Sequence, residues 1–195
     1  MMRVAILMVA IAFGLHTEGA EVRYFPDNAL SDRANRHEFI AQWYGKHLRA
    51  MKEPSLFQAS KDPSAQAYRF LWLRTFHNPV AVRLQVLPEG DGTVTVTVLS
   101  GAGGYDPGKV KVHRVLPVES AQVARFLKAL ESLGFWSLPG PDPDSDGVDG
   151  AQWVLEGTQK GSYRVVDRWS PEKGAYRDAC LMLLRFSKMS FEDLY

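Results

Sequence analysis

Asp149-Gly150-Ala151-Gln152-Trp153-Val154-Leu155-Glu156-Gly157 and Tyr163-Arg164-Val165-Val166-Asp167-Arg168-Trp169-Ser170-Pro171 are two runs rich in β-branched and aromatic residues. Between them lies the polar stretch Thr158-Gln159-Lys160-Gly161-Ser162, whose glycine permits a positive-φ turn. Such a pattern predicts an antiparallel hairpin. It gathers Glu156, Arg164, Asp167 and Arg168 into one unit, the densest collection of aromatic and ionic groups in the chain.

Upstream of the hairpin, the hydrophobic period is two. Tyr68 to Phe76, Val80 to Leu87, Thr93 to Leu99 and Val110 to Val118 read as successive strands, separated by the turn signals Asn78-Pro79, Glu89 to Gly92 and Gly101 to Gly104. Alternation assigns Val94, Val96 and Val98 to the core and Thr93, Thr95 and Thr97 to solvent, so one face of the sheet is expected to be wet. Lys109, Lys111 and His113 share the outward side of the fourth strand, where they serve as a solvated face that discourages edge pairing or as an anion patch.

Helical periods flank these strands. Asn35-Arg36-His37-Glu38 resembles a capping box, and Phe39, Ile40, Trp43, Tyr44, Leu48 and Met51 continue at three- and four-residue steps until Pro54. Ser120 opens a second helix with the stripe Val123, Phe126, Leu127, Leu130 and Leu133, closed by Gly134. Ser170-Pro171-Glu172 reads as the start of a third, whose apolar side is Tyr176, Ala179, Cys180, Leu183 and Leu184. The expected fold is α+β: a mainly antiparallel sheet of about six strands, formed by a four-strand meander plus the C-terminal hairpin, with three helices packed on one face.

With 195 residues, 46% hydrophobic and 11% aromatic, the chain fits one compact domain. A net charge of +1 gives no general attraction to nucleic acid. Arg3 followed by the apolar run Val4 to Leu15 fits a secretory signal peptide and is too short to span a bilayer. Residues 1 to 20 are therefore expected to be a signal peptide, with a single domain over 21 to 195, a periplasmic or secreted location and no transmembrane anchor after cleavage. Cys180 is the only cysteine, which rules out an intramolecular disulfide, and its apolar setting predicts a buried, inert thiol.

No complete catalytic signature is present: G-x-S-x-G, H-E-x-x-H and paired C-x-x-C are all missing. Glu156 and Asp167 offer carboxylates for acid/base work, but Arg164 and Arg168 beside them would explain all four as cross-strand ion pairs. Asp142, Asp144 and Asp146, followed by Gly147, match the opening of a calcium loop. The twelfth position is Trp153 instead of a bidentate glutamate, and prolines lead in, so an ordinary polar turn is the competing account. Trp136, Trp153 and Trp169 gather around the hairpin, either as core or as the lining of a groove for a sugar or peptide.

The strings D-G-A-Q-W-V-L-E-G and Y-R-V-V-D-R-W-S-P, with Y-R-F-L-W-L-R-T-F and L-G-F-W-S-L-P, resemble a family of uncharacterised secreted or periplasmic bacterial proteins. The resemblance covers most of the mature chain and implies no activity. The leading expectation is a non-catalytic envelope protein that binds another protein, as an inhibitor, immunity-type or assembly factor. Its candidate contact residues are Glu156, Asp167, Arg168, Trp169 and Trp153. A glycan-, peptide- or calcium-binding module is the alternative, and a hydrolase without a recognisable motif the third reading.

Overall fold

The computed structural model describes residues 22–141, 147 and 149–195. The proposed signal peptide and the aspartates Asp142, Asp144 and Asp146 lie outside the described residues. Strands β1 (Ala67–Arg74), β2 (Val80–Val86), β3 (Gly92–Leu99) and β4 (Val110–Val118) form the meander, and β5 (Ala151–Gln159) and β6 (Ser162–Trp169) the hairpin. All six make one open antiparallel sheet in the order β4-β3-β2-β1-β5-β6. Helix α1 (Ala34–Ala50) and the short α2 (Leu56–Ala59) precede the sheet, α3 (Ser120–Leu133) lies between meander and hairpin, and α4 (Ala175–Phe186) follows. The α+β class is as the pattern of elements predicts.

The placement of the helices corrects the expectation of one covered face. Successive residues of a strand point to opposite sides. In β1, Phe70 and Trp72 join the core formed with α3 and α4, whereas Leu71 and Leu73 join a second core under Ile40, Tyr44 and Leu48 of α1. The sheet is therefore sandwiched, and β1 and the first eight residues of β5 are buried without interruption. The threonine face of β3 is correspondingly dry over much of its length. Thr95 receives a hydrogen bond from Arg83 Nη2 (3.3 Å), and Thr97 Oγ1 lies 3.2 Å from His113 Nδ1. Polar neighbours on flanking strands thus cover a face that alternation alone assigned to water.

Two helix starts also differ. Arg33 is the N-cap of α1 and makes no side-chain cap bond, so Asn35 lies inside the first turn. Ser170 does not cap α4, which begins at Ala175 after Gly174. Its Oγ instead accepts from Ala151 N–H at 2.8 Å while its own N–H donates to Ala151 O at 2.8 Å, closing the open end of the hairpin. The hairpin turn is tighter than the five-residue polar stretch implied. Gln159 pairs with Ser162, leaving Lys160 and Gly161, both at positive φ (50° and 77°), as a two-residue turn of the type that suits sheet twist.

Gly157 lets β5 pack closely against the rings of Phe135 and Tyr68. A Cβ there would lie 2.8 Å from Phe135 Cε1 and 2.9 Å from Tyr68 Cδ1, both rings being fully buried. Gly157→Ala is expected to cost about 1–3 kcal/mol through overpacking; a urea midpoint equal to that of the parent protein would contradict this.

Candidate functional site

The hairpin carboxylates sit in the interior, on the α1 side. Glu156 is fully buried and paired with Arg69 on β1, which is fully buried too. Nε and Nη2 of Arg69 both donate to Glu156 Oε2, at 2.8 and 2.5 Å, and Tyr163 OH donates to Oε1 at 2.7 Å. Register places these groups together: Arg69 is opposite Glu156 across β1 and β5, and Tyr163 is two residues from Val165, the partner of Glu156 in β6. The same register puts Arg164 on the other face of the sheet, so the expected ion pair between neighbours within the hairpin does not form.

Arg69 also reaches outward. Its Nη1 donates to Pro54 O at 2.7 Å and lies 3.5 Å from Glu53 Oε2, which accepts from Arg83 Nε at 2.8 Å. A chain of alternating charge, Arg83, Glu53, Arg69 and Glu156, thus runs beneath the segment joining α1 to α2. Burial opposes the charged form of Arg69, but the two carboxylates outweigh it and hold its pKa above the ordinary value. Burial and the adjoining Glu156 charge push Tyr163 well above the usual phenol range. The cluster therefore remains ionised at Arg69 and neutral at Tyr163 at any physiological pH.

The other hairpin candidates are dispersed. Asp167 is buried on the α1 side, with Oδ2 accepting from Tyr44 OH at 2.6 Å. Arg168 faces the α4 side, where it donates to the carbonyls of Pro139 (3.0 Å), Gly140 (3.3 Å) and Asp167 (2.6 Å) and lies over the Tyr176 ring. With Asp167 N–H bonded to Gly140 O at 2.9 Å, it fastens residues 139–141 across the free edge of β6. Trp153 is fully buried in the α4-side core, and half-buried Trp169 lies against the backbone of Gly150. These five residues divide between two faces and do not converge on a common cleft. Cys180 is buried, and burial pushes its thiol well above its ordinary pKa, in keeping with the inert thiol expected. Among the described residues no group of three or more His, Cys, Asp or Glu is arranged to hold a metal ion.

What sequence reasoning missed lies at the end of the sheet away from the hairpin turn. Phe39, Phe76 and Tyr105 are 67%, 61% and 59% exposed. Phe39 contacts the Trp43 ring at 6.4 Å, and Trp43 Nε1 donates to Gly103 O at 2.9 Å. The 101–105 loop is tied in turn to the β1–β2 turn by Gly103 N–H to Arg74 O and Gly104 N–H to Thr75 O, which sets Tyr105 beside Phe76 at 6.2 Å. Phe39, Gln42, Trp43, Lys46 and Gly104 line a depression of about 320 Å³ there. A signal for this surface existed in the sequence: Ile40, Tyr44 and Leu48 form the buried apolar stripe of α1, with Trp43 partly buried at its edge, so the adjoining Phe39 widens the apolar arc onto the exposed side.

Fold and site together define an α+β protein whose ionic cluster is internal and whose exposed aromatic groups gather at one end of the sheet. No family model matches the chain, and none of the curated proteins matches it significantly.

Proposed function

We propose that this chain is an exported bacterial envelope protein that acts by binding another protein, and that it does so through Phe39, Trp43, Phe76 and Tyr105. The observation that carries this reading is the exposure of three large aromatic residues, Phe39 lining a shallow depression and Tyr105, with Phe76 beside it, next to Gly104 on its wall, where every other phenylalanine, tyrosine and tryptophan ring among the described residues is at least half-buried. Aromatic anchors of this kind dominate binding energy at protein interfaces because they bury large area at low entropic cost. Lys46 on the rim favours a partner with acidic groups around an apolar centre. Export is supported by Arg3 and the apolar run Val4 to Leu15. Compared with the first expectation, the contact surface moves from the hairpin strands to α1 and the loops around Phe76 and Tyr105, at the end of the sheet away from the hairpin turn.

The test is a cross-linked pull-down from the periplasm of the source bacterium, comparing the parent protein with Phe39→Ser/Tyr105→Ser. Both positions are exposed, so the double variant should keep its melting temperature while losing about thirtyfold or more in affinity for its principal partner. Equal recovery of the same partner by both proteins would defeat the surface assignment, and an intact Met1 on protein from the cytosol would defeat export.

A further inference from the structure

After α4 the chain continues as Ser190-Phe191-Glu192-Asp193-Leu194-Tyr195, which pairs with no strand and forms no helix. Glu192, Asp193 and Leu194 are exposed, yet the segment is held through its main-chain oxygens. Arg74 Nη1 donates to Glu192 O at 2.8 Å and Arg177 Nη2 to Leu194 O at 2.7 Å. The Tyr195 carbonyl accepts from two buried indoles, Trp153 Nε1 at 2.9 Å and Trp72 Nε1 at 3.1 Å. Side chains add less: Phe191 packs edge-on against Trp72 at 5.9 Å, Tyr195 OH lies 2.7 Å from His77 Nδ1, and Asp193 Oδ2 lies 3.6 Å from His77 Nε2.

These donors come from β1, the turn after it, β5 and α4, and they are held in place independently of the segment they grip. Arg74 stacks over the Trp72 ring at 4.0 Å and Arg177 over the Trp153 ring at 5.3 Å, so each guanidinium is fixed against an indole face. Main-chain recognition by prepositioned donors, with an aromatic contact at either end, is how peptide slots bind extended segments. The segment also leaves capacity unused. Nε of Arg74 and Nε of Arg177 are buried without an acceptor, and Arg74 is only 5% exposed. Buried donors left unpaired are costly, so a ligand richer in acceptors would satisfy this slot better than its resident segment does.

We propose that this slot is a peptide-binding site whose resident occupant is the chain's own 190–195 segment, and that it accepts in exchange an acidic, aromatic-containing peptide from another protein. His77, 3.6 Å from Asp193 Oδ2, and the guanidiniums of Arg74 and Arg177, bonded to the main-chain oxygens on either side of Asp193, set the charge preference; Phe191 and Tyr195 set the aromatic one. The tethered segment competes at an effective concentration in the millimolar range, so exchange requires a ligand that binds better or is locally concentrated. This site shares no residue with the Phe39 to Tyr105 surface and stands whether or not that surface binds a partner.

The probe is the synthetic peptide Ser-Phe-Glu-Asp-Leu-Tyr, titrated into the isotope-labelled full chain while the indole N–H resonances of Trp72 and Trp153 are followed, each assigned by its Trp→Phe variant. In the parent protein these two signals should shift at about millimolar peptide. In Phe191→Ala, where the resident segment is loosened, the same peptide should bind roughly two- to tenfold tighter. A peptide with lysine at both acidic positions should bind more weakly to either chain. Indole signals that stay fixed in both folded proteins at saturating peptide would overturn the proposal, and should Phe191→Ala fail to fold, the parent titration decides alone.

Discussion

Arg69→Met is expected to lower the stability of this protein by about 3–5 kcal/mol, a large part of what a domain of this size possesses. Methionine fits the volume, so the loss is electrostatic: Glu156, fully buried, would keep only Tyr163 as a donor, and Glu53 would keep only Arg83. A carboxylate in that position must either stay charged without its counter-ion or take up a proton, and both are costly. The double variant Arg69→Met/Glu156→Gln removes charge from both sides and should recover part of the loss, because the mutual removal of a buried pair costs less than stranding one partner. Denaturant unfolding of the two variants provides the measurement. A single variant within about 1 kcal/mol of the parent would mean that the cluster relaxes freely toward water.

The second large effect is on acid stability and comes from His47. Its side chain on α1 is fully buried, and neither ring nitrogen has a hydrogen-bond partner of normal geometry. Burial, helped by the Lys46 charge, lowers its pKa to about 4, with the Gly103 carbonyl and Asp106 opposing more weakly. Because Gly103 O does not meet hydrogen-bonding geometry with the ring, it is better regarded as a nearby dipole than as a bond. In the unfolded chain the imidazole titrates near its ordinary 6.5. Above that pH it is neutral in both states and adds no pH dependence. As the pH falls from 6.5 to 4 the unfolded chain binds the proton first, so stability declines across this window by up to about 3 kcal/mol and then levels off with respect to this group. Subtracting the pH profile of His47→Leu from that of the parent isolates the contribution. A flat difference between pH 4 and 6.5 would show that the ring is hydrated or protonated in the fold.

Much of the fold was legible because hydrophobic period is a local property. The strand Val110–Val118, the helix Ser120–Leu133 and its left-handed stop at Gly134 (φ 65°) follow from patterns within a dozen residues. Even the second covered face left a trace. Phe70-Leu71-Trp72-Leu73 places apolar groups on both sides of β1, which only a strand covered on both sides requires. The alternation in β3 pointed the other way because threonine is compatible with water and with a polar interior alike. At the candidate site less was legible. Glu156 and Asp167 were correctly marked as chemically rich, but their partners, Arg69 and Tyr44, come from elements more than eighty residues earlier.

The sequence alone determined that this chain forms strands in a meander, a hairpin and three long helices, because propensity and periodicity act between near neighbours. The tertiary structure decided what the chemically distinctive residues face. Pairing of β1 with β5 brought Arg69 to Glu156, packing of α1 on one side and of α3 and α4 on the other sent hairpin charges inward, and the convergence of β1, β5 and α4 built a slot for the 190–195 segment. Each of these depends on register and on which surfaces meet across long separations in the chain, and a one-residue slip in either would turn every one of those side chains to the other face.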